Sequence, residues 1–186
     1  PAIDAVLEGN LSKHIGERLP TKSRLLNFRL TVRSGANGVD QDDMQIQTHN
    51  TAGPFVVTQP NGGNFSGLTA TAVNWNVANT QLPPISCSHV DISLTADQGK
   101  SFMQLVENVS NNGAANVVLP NSDISNGYIK VQCSNNIFFN TTPNAINISA
   151  IDNIGTFSIH ALQEALHEAT SGYTTFSFDV VRSGDT

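Results

Sequence analysis

The sequence predicts an all-β chain whose centre is an antiparallel β-sandwich. Three observations carry this expectation. Short apolar–polar alternations recur through residues 54–148, with Asn, Gly, Ser or Pro between them. The single Trp, Trp75, and the two Cys, Cys87 and Cys133, fall on or beside these runs, where a sandwich keeps its core. Only 13% of residues are charged and 6% aromatic, so amides and hydroxyls solvate the surface, as in extracellular all-β modules.

Taken in order, residues 1–19 read as irregular apart from one helical turn. Ala2, Ile3, Val6 and Leu7 are at helical spacing, and Gly9-Asn10 ends the pattern. Leu26, Phe28, Leu30 and Val32 then alternate along one strand face. Arg29 and Arg33 share its other face, read as solvated. Ser34–Gly38 is a turn, and Asp43–Thr48 pairs back as a hairpin. Thr51-Ala52-Gly53 links into the main module. Phe55–Thr58 is its first strand, and Gln59–Gly63 the turn after it. Leu68–Val77 sets Val73, Trp75 and Val77 on one face, so Trp75 reads as core. Pro83-Pro84 breaks the chain before the strand Cys87–Leu94.

Thr95-Ala96-Asp97-Gln98-Gly99-Lys100-Ser101-Phe102 matches the Asp-box pattern, Ser/Thr-x-Asp-x-Gly-x-Ser/Thr-aromatic. Asp97 is expected to bond the turn backbone, and Gly99 to take the left-handed conformation. The motif is a hairpin device and carries no chemistry. Strands follow at Met103–Val106, Asn116–Pro120, Tyr128–Cys133 and Ala145–Ser149. Asn126-Gly127 reads as a tight turn and Asn135–Asn140 as a corner. This gives about seven strands in about 95 residues, the range of immunoglobulin-like and fibronectin-III-like sandwiches. Beyond it, Leu162, Ala165, Leu166 and Ala169 suit an amphipathic helix over 160–169, and Tyr173–Val181 a strand.

Net charge of -6 leaves no basic stripe for a phosphate backbone, so nucleic acid is not an expected partner. No apolar run reaches the roughly 18–20 residues of a membrane span. Pro1 at the start makes an internal piece of a longer protein the expectation, with any export signal upstream. Cys87 and Cys133 suit a disulfide that bridges the sheets, given an oxidising compartment; two buried thiols are the alternative.

No catalytic constellation is legible. His167-Glu168-Ala169-Thr170-Ser171 starts like H-E-x-x-H but has Ser171 where the second His ligand belongs, and His160 supplies no completed set. Asp40, Asp42 and Asp43 cluster in a presumed turn with no EF-hand spacing, so calcium is a secondary expectation there. Asn10, Asn64, Asn108, Asn140 and Asn147 each open an N-x-Ser/Thr sequon, relevant only in a eukaryotic source.

Several motifs in fixed order resemble a known family. Leu19-Pro20-Thr21 through Asn27–Arg33, Asp42-Asp43-Met44 and Ala52-Gly53-Pro54-Phe55-Val56-Val57-Thr58 come first. Trp75-Asn76-Val77-Ala78-Asn79-Thr80, Val90–Leu94 with the Asp-box, and Ile129-Lys130-Val131 through Phe138-Phe139 follow. Residues 19–149 thereby resemble the region after the catalytic domain of secreted bacterial reprolysin-like zinc metallopeptidases, including its immunoglobulin-like accessory module. Glu168-Ala169-Thr170-Ser171-Gly172 through Phe176-Ser177-Phe178-Asp179-Val180-Val181-Arg182-Ser183-Gly184-Asp185 give residues 159–186 a weaker likeness: they resemble the opening of a Calx-beta-type domain, a kind that often binds calcium, and this favours strand for part of 159–168. The zinc motif of the family is absent from these residues.

The resemblance implies three segments. Residues 1–50 are the tail of an upstream domain or a hairpin added to the sandwich, 51–150 the sandwich, and 151–186 a linker and opening Calx-beta-like strand. The implied role is secreted and non-catalytic, with no cofactor. Such a module spaces or stabilises the parent's catalytic domain, its first partner, or docks it on a protein or cell-surface substrate. The alternative is a carbohydrate-binding or adhesive module, whose candidate aromatics are Phe65, Tyr128, Phe138 and Tyr173.

Overall fold

The computed structural model describes residues 2–10, 20–35, 37–151, 156–161 and 177–183. The chain divides into two compact units, residues 1–150 and 151–186. All-β architecture is plain: among the described residues one short helix stands beside thirteen strands.

Helix α1 (Ile3–Leu7) occupies the position its spacing predicts and buries Ala5 and Leu7. Strands β1 (Arg24–Arg33) and β2 (Val39–Thr48) form a ten-rung antiparallel hairpin. Asp40, Asp42 and Asp43 lie on β2 rather than in a turn. Strand alternation sends Asp43 to the opposite face from the other two, so the three carboxylates do not gather.

The sandwich follows. Its three-stranded sheet is ordered β3 (Val56–Gln59), β5 (Ala70–Asn76), β8 (Ala114–Val118). The facing sheet runs β4 (Gly63–Ser66), β11 (Ile146–Ser149), β9 (Ile124–Cys133), β6 (His89–Thr95), β7 (Met103–Ser110). Strand β10 (Phe139–Thr141) also pairs with β9. Strands β4 and β10 stand where the sequence suggested a turn and a corner. Each is too short to show alternation. The first edge of the sandwich is split: β3 pairs antiparallel with β5 in one sheet, then β4 crosses to the other and runs parallel to β11.

Alternation along these strands builds one core between the sheets. Val57, Val73, Trp75 and Val117 from one side meet Val90, Ile92, Leu94, Ile129, Val131, Ile146 and Ile148 from the other. Strand β9 keeps inward residues of opposite parity, Ile124 and Ile129, because a bulge intervenes. Ile146 and Ile148 on β11 face Gly127 and Ile124, two residues against three, and Asn126 has φ 58°. Asn126-Gly127 is therefore a bulge inside a continuous strand, not a turn before it.

Cys87 and Cys133 are bonded, and both are buried. The bridge does not staple the two sheets directly, as expected of it. Cys133 ends β9 and pairs with neither sheet's opposite face but beside Val90 of β6. Cys87 lies in the crossover that leads into β6, its N–H donating to the Thr80 carbonyl. The disulfide thus fastens the crossover to the six-stranded sheet.

In the second unit, β12 (Thr156–Ala161) pairs antiparallel with β13 (Phe178–Ser183). His160 and Ala161, placed in a helix by periodicity and in a strand by the resemblance, belong to a strand. The rest of residues 160–169, with His167, and the start of the expected Tyr173–Val181 strand lie outside the described residues.

Candidate functional site

The Asp-box joins β6 to β7 and is fully assembled. Thr95 Oγ donates to Asp97 Oδ1 at 2.8 Å and accepts from the Gly99 N–H at 2.8 Å. Asp97 also takes the Ser101 N–H at 2.9 Å and the Ser101 hydroxyl at 2.6 Å. The Ser101 hydroxyl leads, followed by the Ser101 N–H and the Thr95 hydroxyl, in lowering the Asp97 pKa to about 2. Gly99 is left-handed at φ 83°, and Ile3 of α1 fills the space its missing Cβ would need. The glycine therefore serves the turn and the docking of α1 together. The Thr95, Asp97 and Ser101 side chains are committed to the turn itself, which is the structural role the motif's spacing predicts.

Trp75 is 4% exposed, as its alternation implies, but it is not purely apolar. Its indole N–H donates to Asn111 Oδ1 at 2.8 Å. The Asn111 amide then donates to Thr80 Oγ at 3.1 Å and to the Cys87 carbonyl at 2.9 Å. Thr80 Oγ donates onward to the Val77 carbonyl at 2.6 Å. Asn111 had no marker in the sequence, since it sits in what reads as a polar turn and its partners are far away along the chain. It links the Trp75 sheet, the crossover and the disulfide.

On the outer face of the six-stranded sheet, Lys130 lies 4.0 Å from the Phe102 ring centroid and 5.6 Å from that of Phe139. Its ammonium donates to Gln132 Oε1 at 2.9 Å. Burial lowers the Lys130 pKa, and the charge of Asp91 works against that fall. Asp91 is itself engaged, accepting from the Asn108 N–H at 2.8 Å and the Ser134 hydroxyl at 2.9 Å. With its ammonium over the faces of two rings, Lys130 of β9 braces the Asp-box loop, through Phe102, and β10, through Phe139.

The sequons are largely committed too. Asn147 Nδ2 donates to Asn64 Oδ1 at 2.9 Å, and Asn140 Oδ1 accepts the Val57 N–H at 2.8 Å. Of the candidate stacking aromatics Tyr173 lies outside the described residues, and the other three form no exposed row. Phe65 and Phe138 pack against the core, Phe138 edge-on to Phe55 at 5.3 Å, and Tyr128 is half-buried.

Among the described residues two Ser–His contacts occur, Ser88 with His89 at 2.9 Å and Ser158 with His160 at 3.1 Å, and in neither does a described carboxylate hydrogen-bond the imidazole. Among the described residues no three His, Cys, Asp or Glu side chains gather where they would hold a metal ion. On the hairpin, Arg29 and Asp43 form a two-pronged pair at 2.6 and 2.8 Å, which raises the Arg29 pKa and lowers that of Asp43. No family model matches the chain, and no curated protein matches it.

Proposed function

We propose that residues 51–150 are a non-catalytic, immunoglobulin-like accessory module of a secreted bacterial zinc metallopeptidase. It spaces the catalytic domain or docks it on a protein or cell-surface substrate. One observation carries the non-catalytic part: the polar side chains best placed for chemistry are bonded to the module's own backbone and loops. Such groups hold loops rigid, and the one Ser–His contact described in the module, Ser88 with His89, has no carboxylate on its imidazole.

The immunoglobulin-like reading is supported by the split first edge, with β3 in one sheet and β4 beside β11 in the other. Secretion is supported by the buried disulfide, a bond that persists in oxidising compartments. The peptidase parent is supported by the ordered motifs from Asn27 to Phe139.

The test has two parts. The complete reading frame should encode H-E-x-x-H-x-x-G-x-x-H upstream of Pro1. Deleting residues 51–150 from that protein should then slow hydrolysis of an intact protein substrate and leave a short peptide substrate unaffected. A reading frame without the zinc motif ends the peptidase reading. Equal loss on both substrates would make the module a folding requirement instead of a docking one.

A further inference from the structure

One face of the β1–β2 hairpin carries an apolar stripe that is exposed over most of its length. Arg24, Leu26, Phe28, Leu30 and Val32 share that side, and across from them in register stand Thr48, Ile46, Met44, Asp42 and Asp40. Phe28 is 48% exposed, Leu30 68%, Val32 60% and Met44 56%. The opposite face is mainly polar, with Arg29 paired to Asp43 and Gln45 donating to Asn27 at 2.9 Å, and its apolar members, Leu25 and Val39, stand at its two ends. A two-stranded ribbon open on both sides is marginal in water, and a contiguous apolar face marks an interaction surface.

The charges along this face indicate what covers it. Arg24 stands at the open end, and its guanidinium has no partner among the described residues. Asp40 and Asp42 stand near the turn end, and each carboxylate accepts only the N–H of the residue after it. Two such faces stacked with their turns together would oppose four carboxylates. Turned end for end, each Arg24 reaches the rung of the other copy's Asp40, the Phe28–Met44 rung meets itself on the two-fold axis, and the Leu26–Ile46 rung meets the Leu30–Asp42 rung. Of the two arrangements only the second brings opposite charges together and keeps the carboxylates apart.

We propose that the chain self-associates through this face, as a two-fold dimer whose hairpins pack face to face and end for end. The proposal goes beyond the accessory role and does not rest on it. Strands of this length give a face about 30 Å long and on the order of 10 Å wide. That is well below the roughly 800 Å² per partner of a standard interface, so the dimer is weak and concentration-dependent.

Sedimentation equilibrium of the whole chain tests it, from about 5 to about 500 µM, a range chosen for a weak contact. The mass should rise from one chain to two. Phe28→Ser, at an exposed position, should weaken association at least about tenfold. Arg24→Glu should weaken it as well, and Arg24→Glu with Asp40→Arg should restore it. A mass of one chain at every concentration overturns the proposal. So does a dimer indifferent to Phe28→Ser, or a failed charge exchange. Growth beyond two chains would assign the face to a different surface of the next copy, the β12–β13 hairpin being one, and would overturn it too.

Discussion

The Trp75 indole and the Asn111 carboxamide stabilise the sandwich as a unit, because each is buried and each satisfies the other. A buried amide left without its partners costs its full desolvation, whereas the paired group contributes only modestly. Asn111→Ala strands the Trp75 N–H and takes a donor from the Cys87 carbonyl. It is expected to cost about 2–4 kcal/mol. Trp75→Ala, a large-to-small change in the core, is expected to cost about 3–5 kcal/mol. A cycle of Trp75→Phe, Asn111→Ala and the double variant, read by chemical denaturation, should show coupling of about 0.5–3 kcal/mol. Strict additivity would mean that the bond contributes nothing. Asp97 belongs at the same scale. Its folded pKa of about 2 lies below the ordinary value of 3.8, so the folded state holds the carboxylate more tightly than the unfolded chain does. That stabilisation is present above the unfolded pKa of about 3.9 and is lost as pH falls through the folded value. Asp97→Asn should therefore unfold more readily than the parent at neutral pH, with the gap closing between about pH 4 and pH 2. Guanidinium midpoints across that window decide it, and a gap constant with pH would show that ionisation of Asp97 is irrelevant.

Strands and their fastenings are the next scale. The disulfide closes a separation of 46 residues and fixes the crossover that Asn111 also holds. In the chain-entropy account a loop of that size is worth about 4 kcal/mol. Cys87→Ser with Cys133→Ser is expected to lose stability of that order in thermal unfolding. A loss well under 1 kcal/mol would mean that the hydrogen bonds alone hold the crossover. Which strands were legible in the sequence follows from how each is buried. Strand β5 packs one face only, so Val73 and Trp75 alternate visibly with Ala72 and Asn76. Strands β4 and β10 are edge pieces of four and three residues, with no room for a period. Asn126-Gly127 misled for a physical reason: a turn and a bulge both call for a positive φ, and only the pairing of β9 with β11 separates them. The Asp-box was legible because all its bonds close within seven residues. The Asn111 network was not, because its bonds span 24 to 36 positions.

At the scale of the whole molecule, cohesion is unevenly distributed along the chain. Every member of the buried core cluster lies between Phe55 and Ile148. The hairpin β1–β2 adds none, and neither do the described residues beyond Ala150. Helix α1 does add to the folded unit without joining that core, since Ala5 and Leu7 are buried and Ile3 rests on Gly99. A fragment of residues 51–150 should therefore fold cooperatively by itself with its disulfide formed. It should be less stable than a 1–150 fragment by about 1–3 kcal/mol, the burial lost with Ile3 and Leu7. In a domain of this size each kcal/mol moves the melting temperature by about 4–8 °C, well within calorimetric reach. Ile3→Asp in the 1–150 fragment should reproduce most of that loss, because a carboxylate cannot be seated against Gly99. If the shorter fragment fails to fold, the hairpin or α1 belongs to the folding nucleus, and the sandwich is not the independent unit its core describes. If it folds with undiminished stability and Ile3→Asp is silent, the contact of α1 with the Asp-box turn is dispensable. Gly99 would then be required by its φ of 83° alone.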